Sequence, residues 1–195
     1  MNSDKLAMAG AGFLLVAVLG LVSSLDFLFP APPLDLASLR VNATLLESLA
    51  SDAPVTLLVF TDYGCGPCKS LYSVLERIKG GYGENVAIIT KFMPSKDGKL
   101  ETGLAAECGN DAFRMYLYLG QGKDPLAYAE MAGLGNETVL DCMRNTSTQD
   151  KVLEGIELGT KLGVTGLPTL FMNGVAVEGA ASYSELKLLI DSELQ

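Results

Sequence analysis

The hydrophobic pattern divides this chain of 195 residues into two unequal parts. Residues 6–25 (LAMAGAGFLLVAVLGLVSSL) carry no charge and present no polar face. A helix of about 20 apolar residues spans the hydrocarbon core of a bilayer, whereas a helix packed on a globular core keeps one polar side. Residues 1–25 are therefore expected to form a transmembrane anchor or a secretory signal segment. Lys5 precedes the run and the next cation is Arg40, a weak positive-inside bias that places residues 26–195 outside the cytoplasm. The length of the run favours retention as a signal-anchor, while Val22-Ser23-Ser24 is a poor small-residue cleavage site that serves the opposite reading. Both readings export the remainder.

Residues 26–50 read as a linker with a short helix: Pro30, Pro32 and Pro33 favour a stiff, extended spacer, and Leu45, Leu46 and Leu49 mark the helix. From residue 51 the periods change. Residues 55–62 (VTLLVFTD) are a compact β-branched and aromatic run with its polar residues at the ends, the pattern of a strand covered on both faces. Leu71, Val74, Leu75 and Ile78 then recur at i, i+3, i+4 and i+7 ahead of Gly80-Gly81, which predicts a helix with one buried stripe and a glycine stop. Residues 85–94 (NVAIITKFMP) predict a second strand of the same kind, and the strand, helix, strand order calls for a parallel, right-handed crossover.

Between about residues 99 and 162 the apolar positions fall into short helical groups: Leu104 with Cys108, Phe113 with Tyr116 and Leu117, Val139 with Leu140 and Met143, Val152 with Ile156. A helical insertion of several short helices is predicted there. After it, Asn173-Gly174 stands between two β runs in residues 166–179 (GLPTLFMNGVAVEG), a hairpin signal. Ser182 and Glu185 make a capping box for a last helix through Leu186, Leu189 and Ile190.

Composition removes whole classes of function. The formal charge is −9 and there is no histidine. A nucleic-acid footprint of clustered cations is missing, and so is the imidazole that Ser-His and Cys-His pairs and mixed zinc sites require. Three Asn-X-Ser/Thr tripeptides begin at Asn42, Asn136 and Asn145, all after the apolar run, a weak sign of an extracytoplasmic address.

Four cysteines remain. Cys65 and Cys68 enclose Gly66-Pro67 in DYGCGPCKSL, residues 62–71, at the predicted turn from strand to helix. At a helix start, free backbone N–H groups, the positive end of the helix dipole and the neighbouring thiol all stabilise a thiolate on Cys65 and draw its pKa below the free value of about 8.5. Cys68, one turn inward, is then the shielded, resolving thiol. Pro67 falls where a missing N–H costs nothing. The competing readings are weaker. A four-cysteine zinc site usually pairs two short knuckles, whereas Cys108 and Cys142 stand apart. A purely structural Cys65–Cys68 bridge would close too short a loop to remove much unfolded-state entropy, and copper delivery wants a histidine or methionine beside the pair.

FTDYGCGPCKSL, followed about 100 residues later by GVTGLPTLFMNG, resembles the thioredoxin superfamily, and with the helical insertion it looks like the disulfide-bond protein A (DsbA) branch and its anchored relatives. The resemblance covers residues 55–195. It implies an α/β thioredoxin fold with a four- or five-stranded sheet, Leu167-Pro168 in cis facing Cys65, and catalytic roles for Cys65 and Cys68. It also implies that the backbone of Leu167, with Pro168, Gly66 and Pro67, binds extended substrate segments by strand addition. The function it implies is thiol–disulfide exchange with exported proteins, without prosthetic group or metal. The redox partner would be a membrane oxidase of the DsbB or vitamin K epoxide reductase type, or a transmembrane reductant.

Three positions depart from the pattern. Val59 stands where relatives often bury an acid, Leu167 fills a slot usually held by Thr, Val or Ile, and Gly66-Pro67 replaces the Pro-His of strong oxidants. Without a histidine the thiolate, and hence the reduced form, is less stabilised, which argues for a lower potential and leaves oxidase against reductase or isomerase open. For Cys108 and Cys142 the exported compartment and similar pairs in some DsbA-like relatives favour a disulfide over two buried thiols. The alternative function is a non-catalytic thioredoxin-fold chaperone or assembly factor that holds extended chains.

Overall fold

The computed structural model describes residues 51–120, 124–178 and 181–195. The apolar run and the linker of residues 1–50 lie outside the described residues, and no helix among the described residues is long and apolar enough to cross a membrane.

Four strands form one sheet in the order β2-β1-β3-β4. They are β1 (Val55–Thr61), β2 (Val86–Phe92), β3 (Thr169–Met172) and β4 (Val175–Glu178). β1 runs parallel to β2, with Val55 opposite Val86 and Thr61 opposite Phe92, and antiparallel to β3, with Leu57 opposite Met172 and Phe60 opposite Thr169. Every residue of β1 except Thr56 is buried, which is why its sequence is an almost unbroken apolar run. β2 differs from the expectation of a strand covered like β1. It lies at the end of the sheet, and its five inner positions are only half-buried. Ile88 and Ile89 make the two strands look alike in sequence; their different neighbours set them apart.

α1 (Gly66–Tyr82) crosses from β1 to β2 and buries Cys68, Leu71, Leu75 and Ile78. The helix does not stop at Gly80-Gly81 but continues through both and ends at Gly83, whose φ of 55° suits glycine. Tyr82 holds this last turn: its ring packs against the core, and its hydroxyl donates to Asp191 at 2.6 Å. One face of the sheet, with Val55, Leu57, Val59, Leu170 and Met172, packs on α1 and on α7 (Tyr183–Glu193) through Leu186 and Ile190. Leu189 lies off that stripe, 37% exposed. The opposite face, with Leu58, Phe60 and Phe171, packs on Leu158 and Leu162.

Between β2 and β3 come α2 (Leu100–Glu107), α3 (Asp111–Leu119), α4 (Pro125–Met131), α5 (Asn136–Arg144) and α6 (Thr146–Lys161). Their shared core of Ala105, Phe113, Leu117, Val139 and Val152 extends to Tyr63, Cys68 and Phe92. The hairpin turns at Asn173 and Gly174, with φ of 45° and 90°, and the capping box is complete: Glu185 N donates to Ser182 Oγ at 3.3 Å, and Ser182 N to the Glu185 carboxylate at 2.7 Å. Ser182→Ala should lower unfolding free energy by about 1 kcal/mol in a urea titration, leaving the redox equilibrium of Cys65–Cys68 unchanged.

Candidate redox site

β1 ends at Thr61 and delivers the chain into a turn held by Asp62. That side chain is fully buried; Oδ1 accepts from Gly64 N at 2.9 Å, and Oδ2 accepts from Ser95 N at 2.8 Å, in the loop after β2. The Asp62 carbonyl also accepts from Cys65 N at 3.2 Å. One carboxylate thus ties together two loops beside the cysteine pair. Its first bond, an Asx turn onto Gly64, is legible as Asp-X-Gly, whereas the bond to Ser95 spans 33 positions and leaves no local signal.

Cys65 is the N-cap of α1: its φ and ψ are extended, and Sγ accepts from Cys68 N at 3.2 Å. Sulfur here does what a Ser or Asp oxygen does at other helix starts. Pro67 lies in the first turn, and Gly66 and Pro67 are exposed. Cys65 is half-buried, Cys68 is 1% exposed, and the two are joined by a disulfide with Cα atoms 5.2 Å apart.

Leu167-Pro168 is a cis peptide, and the Leu167 carbonyl oxygen lies 3.9 Å from Cys65 Sγ. Thr169 Oγ1 donates to Gly166 O at 2.7 Å and closes the loop. Pro168 is buried and Leu167 half-buried. The structure therefore brings together Cys65, Cys68, Gly66, Pro67, Leu167 and Pro168, which lie about 100 positions apart in two groups. A groove of 280 Å³ opens beside Cys65, walled by Met93, Pro94, Val164 and Leu167 and carrying the Lys96 side chain.

Cys108 and Cys142 lie elsewhere, in the insertion. They are bonded to each other with Cα atoms 5.8 Å apart, joining the C-cap of α2 to α5.

Beneath the pair lie three tyrosines that the apolar periodicity did not single out. The Tyr118 ring stands 4.6 Å from both Tyr63 and Tyr72, and its hydroxyl donates to Thr61 Oγ1 at 3.0 Å. Tyr63 and Tyr118 share the buried cluster of Cys68. Burial pushes both phenols above their ordinary value of 10.0; Tyr72 is raised to about 12 by burial and then by the Glu76 carboxylate. At Val59 no acid is present: its side chain packs in the core, 1% exposed.

Residues 50–192 match the family described as Thioredoxin. No curated protein matches the chain by sequence. Among solved structures, a point variant of Wolbachia pipientis α-DsbA1 superposes with a TM-score of 0.63 at 18% identity, over 72% of this chain and 85% of that one. Oxidised BdbD from Bacillus subtilis gives 0.62 at 22%, over 74% and 90% of the two chains. The thiol–disulfide exchange protein α-DsbA2 of Wolbachia pipientis gives 0.62 at 16%, over 80% and 97%. The fold is that of the DsbA-like proteins: a thioredoxin sheet with a helical insertion.

Under graded dithiothreitol, thiol counting by mass should show Cys65–Cys68 opening first and Cys108–Cys142 persisting. The first sulfur leaves as a thiolate on a helix start, while the second bridge closes a long loop whose restriction contributes about 4 kcal/mol by the chain-entropy relation. The tyrosines set an alkaline limit. Their folded-state pKa values lie above the ordinary 10.0, so their stabilisation is complete below pH 10 and is lost as pH rises toward 12. Tyrosinate absorbance should lag behind that of free tyrosine in this range and rise as the chain unfolds.

Proposed function

The chain belongs to the thioredoxin family, and from that premise we propose that it is a membrane-anchored, extracytoplasmic thiol–disulfide oxidoreductase acting on exported proteins. The observation that carries this reading is the placement of Cys65: the residue is half-buried, and its sulfur caps α1 and faces the Leu167-Pro168 loop. A helix-start thiolate is both the better nucleophile at neutral pH and the better leaving group.

In the reducing direction the Cys65 thiolate attacks one sulfur of a substrate disulfide. That bond breaks, and its other sulfur leaves as a thiolate and takes a proton. Cys68, deprotonated, then attacks Cys65 Sγ; the mixed disulfide breaks and the second substrate thiol departs. Two electrons pass from the dithiol to the substrate, and the reverse sequence oxidises a dithiol. Leu167 supplies backbone for an extended substrate segment, Pro168 shapes the loop, and exposed Gly66 and Pro67 form the contact surface around the sulfur.

Two disulfides in one short chain suit an oxidising compartment, and residues 6–25 supply the anchor or export signal. The membrane redox partner is an oxidase of the DsbB or vitamin K epoxide reductase type, or a transmembrane reductant. Gly66-Pro67 lacks the histidine of strongly oxidising pairs, so its potential lies lower and favours reduction or isomerisation. Cys65→Ser should drop insulin reduction and refolding of a scrambled disulfide protein to the uncatalysed rate; full activity in that variant would leave a non-catalytic, chain-binding role. Cys68→Ser should retain attack and accumulate mixed disulfides, visible by non-reducing electrophoresis.

A further inference from the structure

A second cleft, of 390 Å³, lies between α1, β2 and α3, and the redox chemistry makes no use of it. Leu75, Val86 and Ile88 line it together with the rings of Tyr63, Tyr72 and Tyr118. Tyr63 is the informative side chain. It is 3% exposed, it lines the cleft, and its hydroxyl makes no hydrogen bond among the described residues. A buried phenol left unpaired costs free energy unless a partner reaches it from the cleft.

The charges around it are sorted. Lys79 and Arg114 are both held by Asp111 at 3.1 Å, and Arg114 Nε also donates to Ala106 O at 3.1 Å. Glu76 and Glu107 line the same cleft and make no ion pair or hydrogen bond among the described residues. Burial is the main cause of both raised phenol pKa values; at Tyr63 the Tyr118 phenol adds to it, the Arg114 guanidinium opposes it and Glu107 adds a smaller push, and at Tyr72 the Glu76 carboxylate adds to burial. Lys79 and Arg114 share the one carboxylate of Asp111 and together keep one positive charge, which Glu76 and Glu107 turn into a net charge of −1 above an apolar floor. An anion would meet two carboxylates that make no ion pair among the described residues. A cation would meet free acceptors and aromatic rings.

We propose that this cleft binds an organic monocation, a guanidinium or primary ammonium on a short alkyl chain, with the Tyr63 hydroxyl and the Glu76 and Glu107 carboxylates as acceptors. The alkyl chain lies on Leu75 and Ile88. The same chemistry is presented by a free small molecule and by an Arg or Lys side chain of a protein.

The test is calorimetric titration of the full-length chain in detergent with Nα-acetylarginine amide, and in parallel with its citrulline counterpart, which has nearly the same shape and no charge. Saturable binding of the arginine probe alone is expected, weakened about tenfold by Tyr63→Phe and by Glu107→Gln, one charge-assisted hydrogen bond each. Tyr63→Phe keeps the ring in its stack, and Glu107→Gln alters an exposed side chain, so both variants should fold. A Gly/Ser peptide with a single Arg separates the sources: affinity equal to that of the amide means that the small cation suffices, and tighter binding assigns the site to a protein side chain. Equal binding of the citrulline probe, unchanged affinity in both variants, or no binding of either arginine probe would overturn the assignment.

Discussion

The hydrogen bond from Cys68 N to Cys65 Sγ, 3.2 Å long, is the contact on which the site depends. A helix begins with N–H groups that its own turns cannot satisfy, and here the acceptor offered to them is sulfur instead of oxygen. The cap therefore fixes the helix start and favours negative charge on the Cys65 sulfur. Other features of the neighbourhood hold that start in place. The buried strand β1 delivers the chain, Asp62 pins the turn to the loop after β2, and Pro67 sits where its missing N–H is harmless.

The two sulfurs of the pair differ because they face different things. Cys65 looks toward the Leu167-Pro168 loop and an open groove. Cys68 faces inward, in one buried cluster with Tyr63, Phe92, Phe113 and Tyr118. Much of that cluster comes from the inserted helices, so the insertion shields the second thiol as well as enlarging the domain. The Cys108–Cys142 bridge ties α2 to α5 within the insertion, where short helices individually bury little apolar surface.

Short-range features were legible in the sequence. The capping box at Ser182 and Glu185, the turn at Asn173-Gly174 and the helix start at the cysteines each involve residues within a few positions of one another, where backbone geometry dictates residue type. The thioredoxin-like arrangement of strand, helix, strand and hairpin followed from the periods, and the two motifs pointed to each other through family resemblance. Where structure and sequence pattern differ, distant neighbours decide. Gly80 and Gly81 read as a stop, yet Tyr82 is drawn into the helix by its contact with Asp191 across 109 positions. β2 read as a covered strand, and nothing in its own residues records that a single strand flanks it.

The sequence by itself determined where the proposed chemistry would reside: one chain position where a cysteine begins a helix, in a protein without any imidazole to do other nucleophilic work. Tertiary structure alone decided which sulfur is open and which sealed, that Leu167 meets Cys65, and that Asp62 bonds Ser95. It also gathered Tyr63, Tyr72 and Tyr118 around a cleft edged by the Glu76 and Glu107 carboxylates. Local geometry is written in neighbouring residues because the backbone has few allowed conformations, whereas burial and long-range contact are properties of the packed whole.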